Sequence, residues 1–231
     1  MSLAQLQHLS KTYALGQLRV QALTDVSLQL QPACFTVLSG PSGSGKTTLL
    51  NLIAGIDLPD QGDVRIAGQS LQQLSDNALT DFRARHIGYI FQNFNLLPVL
   101  SAFENVEYPL RLNQTPAAQR RKKVLELLDA VGLADKSQHR PNQLSGGQRQ
   151  RVAIARALVH QPLLVLADEP TANLDSQTGA QIILLMRELQ RQHKTAFVFS
   201  SHDPQVIASA DHLVLLKDGH LQSPQPLQEA I

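Results

Sequence analysis

Gly40-Pro41-Ser42-Gly43-Ser44-Gly45-Lys46-Thr47 follows directly on Phe35-Thr36-Val37-Leu38-Ser39 and opens a helical stretch over residues 46–55. The octapeptide fits G-x-x-x-x-G-K-[ST], a pattern that carries meaning only at a strand-to-helix junction, and this copy stands at one. Glycines let consecutive amides turn inward around phosphate oxygens, the helix N-terminus adds a favourable dipole, and a lysine ammonium reaches the terminal phosphates. Gly40, Pro41, Ser42, Gly43, Ser44 and Gly45 are thus candidate phosphate-binding residues. Lys46 supplies the charge, Thr47 is the expected Mg²⁺ ligand, and Thr48 adds a hydroxyl towards the α-phosphate.

Moving outward, Leu163-Leu164-Val165-Leu166-Ala167 is uninterrupted and apolar, as a strand buried on both faces of a parallel sheet must be. Asp168 and Glu169 end it, where such a sheet opens towards its ligand. Asp168 is expected in the Mg²⁺ shell and Glu169 as the base that orients and deprotonates an attacking water.

Around these two motifs the chain alternates strand and helix. Alternation over residues 3–9 and 26–30 predicts two half-buried strands, with turns at Gly16 and Asp25. Strands follow over 63–66 and 86–91, separated by a helix over 75–85, and residues 102–159 read as helical. A helix over 177–192, a strand over 195–199, a helix near 204–209 and a strand over 212–216 complete a βαβαβ series, and Asp218-Gly219 signals a hairpin. The expected organisation is one domain over residues 1–222, its core about 1–92 and 162–222, a helical subdomain about 93–161, and a loose tail at 223–231.

Composition narrows the function. Apolar residues make up 43% and charged residues 17% of the 231, a globular mixture. Twenty basic residues against 19 acidic leave a net charge of +1, with no global field for a nucleic-acid backbone. The single cysteine, Cys34, rules out a disulfide within the chain. No apolar run approaches the ~20 residues that span a bilayer, and residues 1–8 lack the basic start and apolar core of a secretory signal, so a cytoplasmic location is expected.

Phosphate loops and acidic strand ends are shared by kinases, motors, helicases and transporters. Leu144-Ser145-Gly146-Gly147-Gln148, followed by Arg149-Gln150-Arg151-Val152-Ala153-Ile154-Ala155-Arg156-Ala157-Leu158, discriminates among them: it resembles the signature and signature helix of the ABC ATPase family. A serine and two glycines before a long helix also make a second anion site on physical grounds alone. The resemblance implies an α/β P-loop NTPase of the ABC ATPase type, with an antiparallel β element on its N-terminal side and an inserted helical subdomain. It further implies a head-to-tail dimer in which Ser145, Gly146, Gly147 and Gln148 of one copy close over ATP held by the phosphate loop of the other.

Other positions take roles from the same resemblance. Tyr13 looks like the aromatic that stacks on adenine, Gln92 like the glutamine that senses Mg²⁺ and the attacking water, and His202 like the switch histidine on the γ-phosphate. Asn173-Leu174-Asp175 resembles the loop that crosses the dimer interface, with Asp175 its nucleotide-side residue, although Asn173 stands where alanine is common. Phe91-Gln92-Asn93-Phe94-Asn95-Leu96-Leu97-Pro98, Glu104-Asn105-Val106 and Ala167-Asp168-Glu169-Pro170-Thr171-Ala172-Asn173-Leu174-Asp175 are similar to the lipoprotein-release and macrolide-export branch. ATP hydrolysis coupled to a separate membrane permease, at the cytoplasmic face of the inner or plasma membrane, is the function implied. A soluble ABC-type ATPase remodelling ribosomes or DNA is the alternative, and an ATP-binding scaffold without hydrolysis a further one.

Two surface features complete the reading. Phe94, Leu96, Leu97, Val99 and Leu100 form an apolar loop after Gln92, expected to line a groove for a short permease helix. Arg120-Arg121-Lys122-Lys123 is expected on a solvated helix face.

Overall fold

Strands that read as uniformly apolar alternate strictly once folded, and this alternation sets the layers. The computed structural model describes residues 2–16 and 18–222; the expected tail at 223–231 lies outside them. Strands β3 (Phe35–Ser39), β7 (Leu164–Asp168) and β8 (Ala196–Ser200) lie in a six-stranded sheet with β6 (Ile87–Ile90), β9 (His212–Lys217) and β10 (His220–Gln222). The order is β10-β9-β3-β8-β7-β6, parallel throughout except for β10. Phe35, Val37, Val165, Ala167, Phe197 and Phe199 point to one face. Leu38, Leu164, Leu166, Ala196 and Val198 point to the other. Both faces are covered, so no position of these strands tolerates a polar side chain without a partner.

The second face meets α1 (Lys46–Ile53) and an antiparallel sheet, β2-β1-β4-β5, formed by β1 (Ala4–Leu15), β2 (Leu18–Leu30), β4 (Gln61–Ile66) and β5 (Gln69–Ser70). The antiparallel element is therefore a four-stranded layer clamping α1 against the parallel sheet. β1 and β2 extend well beyond the stretches legible by alternation, because their outer halves are largely exposed and pair through the backbone, with side-chain bonds from Thr12 to Gln21 and from Lys11 and Tyr13 to Asp57 added. Gly16 does make the turn (φ 62°). Asp25 does not: it and His8 sit in left-handed backbone at a bulge, and their side chains meet at 2.7 Å.

On the first face lie α5 (Gly146–Leu158) and α6 (Ser176–His193), with α3 (Ala102–Leu112) and α4 (Ala117–Ala130) packed outside α5. Val106, Leu110, Val124, Leu128 and Val152 join the same apolar cluster as the sheet, so the helical layer shares the sheet's core through α5. Local sequence sets the helix starts. Ser101 and Glu104 exchange side-chain and backbone bonds at the head of α3 (3.2 and 2.8 Å), a capping box. Ser75 caps α2 (Asp76–His86). The basic run heads α4, but Arg120 turns inward to Glu107 at 2.9 Å instead of facing solvent. The last helix, α7 (Pro204–Ala208), precedes β9, and Asp218-Gly219 makes the β9–β10 hairpin turn.

Candidate functional site

A cavity of about 570 Å³ opens where the C-terminal ends of β3, β7 and β8 meet the start of α1. Its floor is the glycine loop. Gly45 has φ 102°, and a Cβ there would lie 2.6 Å from the Ala22 carbonyl oxygen, so β2 packs directly against the loop and admits no side chain. Lys46 is only 8% exposed, and its Nζ donates to the carbonyl oxygens of Gly40 (2.8 Å) and Pro41 (3.0 Å). An ammonium has three donors, so one remains for an incoming acceptor. Pro41, Ser42, Gly43, Thr47 and Thr48 line the cavity. Gly40 and Ser44 do not: Gly40 is the first residue after β3, and the Ser44 hydroxyl is buried without a partner.

The acidic pair faces this loop across β8, which intervenes between β3 and β7. Thr47 Oγ1 donates to Asp168 Oδ1 at 3.1 Å. Ser200, opposite Asp168 in register, donates its hydroxyl to the same oxygen, and its hydroxyl and carbonyl oxygens both accept from the Glu169 amide at 3.1 and 3.0 Å. Ser200 thus holds the Asp168 carboxylate and the Glu169 main chain. Sequence reading missed it, although its place at the end of the neighbouring strand, two residues before His202, was the available signal. Glu169 adopts φ 44°, rare for a residue with a side chain, which turns its carboxylate out of the strand direction. Its Oε1 meets His202 Nδ1 at 3.0 Å. Gln92, His202, Asp168 and Glu169 all line the one cavity.

The wall opposite the acidic pair is β2, through Val20, Gln21 and Ala22, which sequence reading also missed. Tyr13 is inside β1 instead of following a short strand. Its hydroxyl donates to Asp57 at 2.8 Å and Lys11 Nζ lies 5.3 Å from its ring centre. It does not line the cavity, but it is the cross-strand partner of Val20, which does. Desolvation alone would raise the Asp57 carboxyl, yet bonds from Lys11 and Tyr13 outweigh it and hold the carboxyl below the usual range.

Ser145, Gly146, Gly147, Gln148 and Asp175 are not in this cavity. Ser145 caps α5, its Oγ accepting from the Gln148 amide at 3.3 Å while Gln148 Oε1 accepts from the Ser145 amide at 2.9 Å. The Gln148 carbonyl oxygen is thereby occupied by the cap. The first amides of α5, at Gly146 and Gly147, have no intrahelical acceptor and point out of the helix start as free donors. Gly147 is required by packing too, since a Cβ would lie 2.7 Å from Thr178 Cγ2. Asp175 caps α6 by accepting from the Thr178 amide at 2.9 Å, which holds its carboxyl below the usual range. Gln150, fully buried, donates to the Pro170 carbonyl oxygen at 2.7 Å and ties α5 to the loop after Glu169.

The apolar loop after Gln92 divides. Phe94 and Leu96 pack into the core, whereas Leu97 and Val99 are exposed, Val99 at 73%. A separate groove of about 130 Å³ lies beside β6, lined by Tyr89, Pro109, Leu112, Arg156 and His160 and by no residue of the loop.

Strand, glycine cradle, buried lysine and a strand-end Asp-Glu pair across an intervening strand define a P-loop nucleoside triphosphatase. Residues 23–172 match the ABC transporter family. The chain is 45% identical to the lipoprotein-releasing system ATP-binding protein LolD of Shewanella sp. (strain MR-4), covering 96% of each. It is 44% identical to the macrolide export ATP-binding/permease protein MacB of Rhodopirellula baltica, over 93% of this chain and 32% of that protein. In structure it resembles the ATP-binding cassette MJ0796 of Methanocaldococcus jannaschii, solved as a dimer in a post-hydrolysis state bound to ADP and Pi, with TM-score 0.88, 42% identity and coverage of 96% and 97%. The chain belongs to the ABC transporter family, as an ATP-binding and ATP-hydrolysing cassette. Among the described residues no helix is long and apolar enough to cross a membrane.

Proposed function

We propose that the chain works as a head-to-tail pair beneath a permease carried on another polypeptide, each ATP being gripped by the glycine loop of one copy and the α5 N-terminus of the other. One observation supports this reading: the α5 N-terminus, with its amides free of intrahelical partners, lies outside the cavity that contains the glycine loop. The dimeric state of the MJ0796 cassette supports the pairing.

Within the cavity, Lys46 draws on the β- and γ-phosphates, Glu169 takes the proton of the attacking water, and Gln92 and His202 flank the terminal phosphate. The hydroxyl of Thr47 and the carboxylate of Asp168 are hard oxygen donors 3.1 Å apart, a fit for Mg²⁺. Among the described residues no group of three or more His, Cys, Asp or Glu could hold a metal. That agrees with an ion that takes one or two protein oxygens and completes its shell from phosphates and water. When bound it would neutralise charge on the phosphate oxygens. Adenine lies against the β1–β2 hairpin, near Val20 and its neighbour Tyr13.

The remaining assignment is the partner. LolD is by its name the ATP-binding protein of a lipoprotein-releasing system, and this chain matches 96% of its length, which supports a permease partner and a peripheral place at the cytoplasmic face of the membrane. The LolD and MacB likenesses favour an exporter or a lipoprotein- or peptide-extruding system. A ribosome- or DNA-remodelling role is not favoured, since the charge balance of +1 supplies no phosphate-backbone footprint. The test is sedimentation of Glu169→Gln in saturating Mg-ATP. A stable dimer is expected, and a strict monomer, with or without the permease, would overturn the reading.

A further inference from the structure

Asn173 Nδ2 lies 2.9 Å from the main-chain carbonyl oxygen of Gln92 and 3.1 Å from Asn93 Oδ1. A carbonyl oxygen only accepts, so the Asn173 atom facing it is the amide nitrogen, and the chemistry fixes which way the side chain points. The bond joins segments 81 positions apart in sequence. On one side is the strand end that presents Gln92 to the cavity. On the other is the loop leaving Glu169, wound by bonds from the Ala172 amide to the Glu169 carbonyl (3.1 Å) and from the Leu174 amide to the Thr171 carbonyl (3.0 Å).

The segment that Asn173 grips is held from its far side as well. Arg156, on α5, donates to the carbonyl oxygens of Phe94 (2.7 Å) and Asn95 (2.6 Å), two consecutive residues in left-handed backbone at φ 60° and 45°. Two adjacent non-glycine residues in that region are strained and persist only where the surroundings hold them. Arg156 anchors the segment to the helical layer, and Asn173 anchors it to the loop after Glu169.

We infer that Asn173 is a positioning residue for hydrolysis: by tying the Gln92 main chain to the loop that follows Glu169, it fixes the spacing of the two side chains that flank the attacking water. Its own side chain is outside the cavity lining. Alanine, the residue common at this place in the family resembled, makes no such bond. The inference rests on the roles proposed above for Gln92 and Glu169.

The experiment is steady-state hydrolysis by the full chain against ATP concentration, with Asn173→Ala, Asn173→Asp, Asn93→Ala and the Asn93→Ala/Asn173→Ala pair. Loss of one or two hydrogen bonds that matter in the transition state lowers kcat about three- to tenfold in Asn173→Ala, with KM and the melting temperature unchanged. Asn173→Asp is lower still, because a carboxylate then faces the Gln92 carbonyl oxygen. The double variant is no slower than Asn173→Ala alone. An unchanged kcat in Asn173→Ala overturns the inference, as does a loss that merely follows the melting temperature or appears in KM. Glu169→Gln is run beside them: hydrolysis persisting there defeats the underlying assignment, whereas an inactive Glu169→Gln with a fully active Asn173→Ala defeats this inference alone.

Discussion

Glu169 Oε1 and His202 Nδ1 are 3.0 Å apart, one from the end of β7 and the other from just beyond β8. A carboxylate only accepts, so Nδ1 carries the hydrogen and the ring is held with Nε2 free. Glu169 is shielded, its side chain 17% exposed, while His202 reaches outward. The histidine therefore braces the carboxylate and keeps its second nitrogen available at the cavity.

His202→Ala accordingly lowers ATP turnover by about 100-fold, within the span usual for loss of a positioned proton-transfer partner, while ATP affinity stays within a few-fold. Phosphate release at saturating Mg-ATP, beside a direct binding titration, checks both. Undiminished turnover would remove His202 from the site.

Lys46→Ala acts on the other side of the balance. Among the described residues, the ammonium that now bonds two loop carbonyls is the only lysine or arginine side chain lining the cavity. Its removal weakens ATP binding by at least about tenfold, the worth of one charge-assisted bond. Calorimetric titration reads it, and unaltered affinity would mean that the loop amides alone hold the phosphates.

Gly147→Ala tests packing at the start of α5. The added methyl lies 2.7 Å from Thr178 Cγ2, a clash expected to cost about 1–3 kcal/mol. Thr178→Ser removes that carbon, so Gly147→Ala/Thr178→Ser should recover most of the stability in a denaturant titration. Failure of the second change to rescue the first would point to a different cause.

Acid lability has an identifiable contributor in His160. Burial pulls its pKa down to about 4, only partly offset by the bond from Nε2 to the Ile87 carbonyl oxygen at 3.2 Å, and its Nδ1 is buried without a partner. The unfolded chain takes up this proton near pH 6.5 and the folded chain only near 4, so the neutral ring's contribution is intact above 6.5 and is lost as pH falls towards 4. Between pH 7 and 4.5 this amounts to about 2 kcal/mol. His160→Gln should flatten the decline in melting temperature over that window. Burial lowers the His86 and His193 values as well, so a residual slope remains. An identical slope in wild type and His160→Gln would assign the effect elsewhere.

The glycine loop, the Asp168-Glu169 strand end and the helix start at Ser145-Gly146-Gly147 were legible in the sequence because each depends on neighbours a few residues away, where covalent spacing fixes the geometry. The outer halves of β1 and β2 were not, since exposed strands held by backbone pairing leave no trace of burial in their side chains. The same hidden extension put Val20 and Ala22 into the cavity wall and Tyr13 within a strand.

By itself the sequence determined a P-loop fold and its order of elements, the glycine loop, the acidic pair and the helix start after Ser145. Only the tertiary structure decided that Ser200 holds the Asp168 carboxylate and the Glu169 amide, that Asn173 reaches Gln92, and that the α5 start stands outside the cavity. A hydrogen bond is fixed by distance and direction in space, and pairs 32 or 81 positions apart acquire those only when β7, β8 and β6 are laid side by side.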